Sequence, residues 1–173
     1  GCVKAGMQVL VKRDAVWKHK GKTLMSGAFS VPKDEVEDRA ISALCPLNML
    51  IDDSKLRKPR FAFIPKLRGL KTTVGTVLKK YKRDARHYFH TLRLHRRWRK
   101  YMAHPPIVSS TGEELFPLQC TAPMGFAASA CWAQDLTDVC TDGLPDEQRV
   151  IIDKPVPRSF PVWGSIEDDV WAI

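Results

Sequence analysis

The chain has 173 residues, with 28 Lys or Arg against 19 Asp or Glu and a net charge of +9. That length suits one domain, or one domain plus part of another, and 44% apolar residues are enough for a packed core and too many for a disordered tail. No run of 18 apolar residues occurs, which excludes a membrane-spanning helix.

In chain order, residues 7–13 read as a weak strand. Residues 34–44 read as a short helix opened by acids, which suit the positive end of the helix dipole, and stopped by Pro46. Arg60–Pro65 is expected as a strand entering a basic loop over 66–71. Thr72–Val77 is β-branched and holds Gly75, which argues against helix. Asp84 marks a strand end turning into a helix, with Tyr88, Phe89, Leu92 and Leu94 as its apolar members. A hairpin or loop is expected over 104–117, a turn at Pro123-Met124-Gly125, a helix over 127–139 and a loop over 141–161. The chain then closes on a hairpin over 162–173, with Asp168 and Asp169 at its tip.

Charge is unevenly spread. Residues 55–104 carry 17 basic side chains and one acid, Asp84, whereas residues 105–173 carry 11 acids and three bases. So basic a stretch repels itself unless a polyanion lies beside it, and nucleic acid is the obvious polyanion. A solvated basic face or a localisation signal around Arg96, Arg97, Arg99 and Lys100 is the plainer alternative. Trp98 and Tyr101, lying among those cations, either stack on bases or anchor a helix on the core. The five cysteines are odd in number and form no CxxC pair, so reduced thiols rather than disulfides or a zinc ribbon are expected. The first residues hold neither a signal-peptide apolar stretch nor an initiating Met, so an intracellular chain, cytoplasmic or nuclear, cut from a longer reading frame is expected.

Three features carry chemistry by their order. An Asp is followed five residues on by an aromatic (Asp84, Phe89). A Pro-Met-Gly-Phe turn feeds a small-residue helix holding Ser129 and Gln134. An Asp-Asp pair sits at a hairpin tip. Phosphoryl transfer to a sugar hydroxyl uses two divalent cations about 3.5–4 Å apart, and hard oxygen ligands suit Mg²⁺. Asp84, Asp168 and Asp169 supply the two or three carboxylates needed. Each feature has a plain structural alternative: a helix cap for Asp84, a solvated turn for Asp168 and Asp169, and a packing hydroxyl for Ser129.

In this order the motifs resemble the reverse transcriptase family of retroelements, over roughly residues 55–173. Residues 82–90 are similar to its first palm motif, with Asp84 as a metal ligand and Phe89 at the aromatic gate that excludes ribonucleotides. Residues 122–134 resemble its second motif, in which Met124, Gly125 and Ser129 contact the nucleotide. Residues 165–170 resemble its Asp-Asp hairpin, and 58–66 its fingers strand, with Arg60 gripping the triphosphate and Lys66 and Lys58 as further cations. Ile166 stands where the family carries Tyr or Phe, Glu167 adds a third acid, and Met124 stands where some members have Gln.

The resemblance implies an α+β polymerase right hand: fingers plus a truncated palm, a ferredoxin-like antiparallel sheet with helices on one face and the thumb absent. Residues 1–54 have no assigned role, 55–83 are the fingers-like basic segment and 84–173 the partial palm. It further implies transfer of deoxynucleotides to a primer 3′-hydroxyl with two Mg²⁺ ions, or Mn²⁺ in their place. The partners would be an RNA or DNA template with primer, deoxynucleoside triphosphates and the rest of a polyprotein, with no membrane. A non-catalytic nucleic-acid-binding module, or a decayed relic, is the alternative.

Overall fold

The computed structural model describes residues 2–36, 38–158 and 160–173, the side chain of Asp53 aside. Its elements are β1 (Gln8–Val11), β2 (Lys18–His19), β3 (Lys22–Thr23), β4 (Gly27–Pro32), β5 (Asp38–Ala43), α1 (Cys45–Asn48), β6 (Tyr81–Asp84), α2 (Tyr88–Thr91), α3 (Arg96–Arg99), β7 (Ile107–Val108), β8 (Glu114–Gln119), α4 (Ser129–Cys140), β9 (Trp163–Ile166) and β10 (Asp169–Ala172). Small antiparallel sheets and a few helices make it α+β. Two compact units result, each built from two stretches of chain: Gly1–Lys55 with Phe89–Ser129, and Leu56–Tyr88 with Ala130–Ile173. The expected segment 84–173 is divided between the units.

In the first unit, β8 lies between β1 and β7. Gln8 faces Gln119 and Val11 faces Phe116, so the weak strand expected near residue 7 finds its partner more than a hundred residues away. Val16, Ala103, Phe116 and Leu118 form the core of this unit, with Val11 packed against it. The β2–β3 hairpin turns at Lys20 and Gly21, both with positive φ, the geometry a two-residue loop requires to match strand twist.

The helix expected over 34–44 is instead the second half of a hairpin. β5 pairs antiparallel with β4, Gly27 facing Ala43 and Pro32 facing Asp38; Glu37 lies outside the described residues. The acids that suit a helix start also suit a turn. Asp34 Oδ1 accepts a hydrogen bond from the Val36 amide at 3.0 Å, closing the bend before a helical turn can form. Phe29 opposite Ile41 gives the ladder its apolar pair. Pro46 likewise does not stop a helix. It opens α1, where its missing N–H would have had no partner anyway.

In the second unit, β10 lies between β6 and β9. Ala62, Val150, Val162 and Trp171 form its core. β6 (Tyr-Lys-Arg-Asp) is exposed throughout and carries charges, as edge strands do to discourage further pairing. The strand expected over 60–65 is not part of a ladder. The Ala62 amide donates to the Ser165 carbonyl and the Ile152 amide to the Phe61 carbonyl, after which Pro65 starts a helical turn over Ile64–Gly69. The helix over 127–139 and the closing hairpin appear as α4 and β9–β10, and the passage from strand to helix at Asp84 as β6–α2, although α2 stops at Thr91 and leaves Leu92 and Leu94 outside it, next to the bridge between Arg93 and Thr121.

Candidate metal and nucleotide site

Asp84 ends β6 and Asp169 opens β10, and the two are direct cross-strand partners. Cross-strand partners project to the same face of a sheet. Asp168 lies in the two-residue turn between β9 and β10, where Glu167 takes a positive φ of 51°. The three acids singled out in the sequence therefore meet at one end of one sheet. Burial pushes the Asp168 carboxyl above its ordinary range; a backbone amide opposes this, while the charges of Asp84 and Asp169 and a hydrogen bond with Asp84 add to it. Burial, then the charge of Asp168, pushes Glu167 up as well. Lys82 answers part of this negative charge, its Nζ standing 3.0 Å from Asp169 Oδ2. That contact raises the Lys82 pKa, first by hydrogen bonding and then by charge.

The residues fit a divalent cation by two observations. Every donor is a carboxylate oxygen, the type Mg²⁺ and Mn²⁺ prefer. Asp169 Oδ1 is buried and meets no hydrogen-bond partner among the described residues, an orphaned acceptor that a cation would satisfy. No group of three or more His, Cys, Asp or Glu among the described residues is gathered closely enough to cage a metal ion.

Beneath the turn is a buried network that the sequence did not announce. Gln134, in α4, is fully buried. Its Nε2 donates to Ser165 Oγ at 2.9 Å and to Asp138 Oδ1 at 2.8 Å, and its Oε1 accepts from the Glu167 amide at 2.9 Å. The Thr137 hydroxyl donates to the Glu167 carbonyl. Arg149 pairs with Asp138, donates to Ser165 Oγ at 3.1 Å and lies 5.0 Å over the Trp163 ring. The side chain of Gln134 thus holds the acid-bearing turn by its backbone. Its glutamine identity was visible in the motif; Thr137, Asp138 and Arg149 carried no comparable signal.

Of the expected phosphate-gripping cations, Arg60 is 3.7 Å from Asp153 Oδ1, and its Nε is buried with no partner among the described residues. Lys66 donates to the Ile151 carbonyl at 2.8 Å and to the Lys154 carbonyl, so its ammonium ties two loop segments together. No ion pair or hydrogen bond involves the exposed Lys58 side chain among the described residues.

Phe89, Met124 and Gly125 belong to the first unit. Phe89 lies half-buried in α2. Gly125 has φ +94°, and a Cβ there would stand 3.0 Å from the Ser42 carbonyl oxygen, so only glycine suits the turn. Asn48 clamps that turn, donating to the Gly125 carbonyl at 2.8 Å and accepting from the Ala127 amide at 3.0 Å. Ser129 is buried and donates to the Pro123 carbonyl at 2.8 Å, which closes the turn onto α4. Met124 is half-buried beside it. Arg96, Arg97 and Lys100 are exposed around α3, whereas Arg99 bends back to donate to the Leu94 carbonyl.

No known protein family matches the chain, and no curated protein matches it either. Among the described residues, no helix is long and apolar enough to cross a membrane.

Proposed function

We propose that the chain is fingers and partial palm of a reverse transcriptase, adding deoxynucleotides to a primer 3′-hydroxyl opposite a template. The observation that carries this reading is the pairing of Asp84 with Asp169 across β6 and β10, with Asp168 beside them in the turn. Asp84, Asp168 and Asp169 would hold the cations. When bound, a pair of Mg²⁺ ions supplies acidification of the 3′-hydroxyl and neutralisation of the charge developing on pyrophosphate. Lys82 holds Asp169 in place through their ion pair. Gln134 and Thr137 fix the turn that carries Asp168 by binding the Glu167 backbone. Arg60, 3.7 Å from Asp153, would turn its guanidinium from that carboxylate to phosphate oxygens. In this reading Phe89 is the ribose gate, Met124, Gly125 and Ser129 shape the nucleotide-side turn, and Lys66 fastens the loop that follows Arg60 by binding the Ile151 and Lys154 carbonyls.

The test is Mn²⁺ binding followed by electron paramagnetic resonance, with primer extension by the chain joined to a thumb domain. Asp84→Asn and Asp168→Asn are expected to weaken Mn²⁺ binding at least tenfold and to abolish extension. Unchanged binding in both variants removes these residues from a metal site. A second reading, a nucleic-acid-binding module without catalysis, is favoured by Lys82, whose ammonium stands where a cation would approach Asp169. It predicts salt-sensitive nucleic-acid binding with no Mn²⁺ affinity.

A further inference from the structure

The first 54 residues carry no recognisable motif, yet part of them lies against α3. The Trp17 amide donates to the Lys100 carbonyl at 3.0 Å, which sets the β2–β3 hairpin beside the end of that helix. Four rings then follow one another: His19 to Trp17 at 5.5 Å between centroids, Trp17 to Tyr101 at 5.1 Å, and Tyr101 to Trp98 at 6.1 Å. Trp98 is 45% exposed, an unusual position for a tryptophan in a small unit. Exposed cations accompany these rings: Lys22, which faces His19 across the hairpin, Lys100, whose Nζ lies 5.0 Å from the Tyr101 ring centroid, and Arg96 and Arg97 of α3, with Lys18 and Lys20 also exposed on the hairpin. None of the six forms an ion pair with a carboxylate among the described residues. His95 caps α3, its Nδ1 accepting from the Arg97 amide, so the short basic helix is held in shape without acids.

We infer that this surface binds single-stranded nucleic acid, with bases stacking on the exposed aromatic end and phosphates meeting the cations of the hairpin and of α3. Unpaired bases present π-faces that a duplex hides, and stacking with phosphate contacts is how sequence-independent single-strand binding is built. A protein partner would need acidic groups spaced to match the cations and would gain little from a row of rings. A strand of nucleotides supplies charge and flat rings at a regular repeat. The inference is independent of the metal site: every residue belongs to the first unit, and binding requires no divalent cation.

The test is fluorescence anisotropy with labelled oligo(dT) and oligo(rU) in EDTA, beside a duplex of mixed sequence. Trp98→Ala, at an exposed position, is expected to weaken single-strand binding about tenfold and to leave duplex binding little changed. Lys22→Glu with Lys100→Glu is expected to weaken binding further and to reduce the salt slope by about 1.4, two phosphate contacts on a single strand. Circular dichroism checks that each variant keeps its fold. Single-strand affinity unaltered in both variants, equal loss on duplex and single strand in Trp98→Ala, or binding to phosphatidylserine vesicles in place of oligonucleotides would each overturn the inference. Because EDTA removes divalent cations, failure of the polymerase reading leaves these outcomes unaffected.

Discussion

Gly164 shows how one residue decides whether the acid-bearing hairpin can form. It faces Trp171 across β9 and β10, and a Cβ there would stand 2.6 Å from the Trp171 ring and 2.7 Å from the Ala62 Cβ. Both neighbours are buried and cannot swing away. Gly164→Ala is expected to cost about 1–3 kcal/mol by overpacking, read as a lower urea midpoint with an unchanged slope. Phe89 is a second case. If it crowds the ribose 2′ carbon, Phe89→Val admits ribonucleotides in the primer-extension assay above, whereas equal discrimination by parent and variant takes Phe89 off the gate.

The raised Asp168 and Glu167 carboxyls make a pH prediction. The folded chain keeps these protons to higher pH than the unfolded chain does. Their contribution to stability is therefore full below the ordinary carboxylate range and is lost as pH climbs through the raised values. A divalent cation competes with the same protons. Mn²⁺ affinity is expected to rise as pH climbs above the ordinary carboxylate range, where the lifted carboxyls give up their protons. Asp168→Asn should flatten that rise; an identical pH profile in the variant would take Asp168 out of the binding group.

At the scale of elements, α4 and the β9–β10 hairpin behave as one device. α4 presents Gln134 and Thr137 one turn apart, and both bind the Glu167 backbone, so the helix reads the turn rather than its side chains. Gln134→Leu leaves Ser165 Oγ and the Glu167 amide short of partners in a buried place. It is expected to cost about 2–3 kcal/mol and to speed hydrogen exchange at the Glu167 amide. The same variant with normal exchange there would show that the turn holds itself. A glutamine at this offset was legible as part of a motif. Its partners were not, because Thr137, Asp138, Arg149 and Ser165 gain their roles from a helix face and a loop brought together by folding.

Over the whole molecule, a net charge of +9 conceals a basic middle and an acidic end. The two are partly reconciled within the second unit, where Arg57 pairs with Asp135, Arg60 with Asp153 and Lys82 with Asp169. Much of the remaining positive charge is exposed, as around α3. Nucleic-acid affinity is expected to fall steeply with salt, each phosphate contact adding about 0.7–0.9 to the slope of log affinity against log salt. A titration from low to moderate salt measures the number of contacts. A flat response would mean that the basic middle serves the fold rather than a polyanion.

What local residues could announce was read from the chain. The closing hairpin, the helix after Pro123-Met124-Gly125 and the strand end at Asp84 each have their turn residues and apolar spacing within a dozen positions. Such signals survive folding because they depend on backbone preference over short distances. Residues 34–44 went the other way: an acidic start serves a helix or a turn equally well, and pairing with β4 settled the choice. The meeting of Asp84 with Asp169, and of Trp17 with Tyr101, was beyond any local rule. Strand register and ring packing across long separations follow from which faces are buried together, and that is a property of the assembled core.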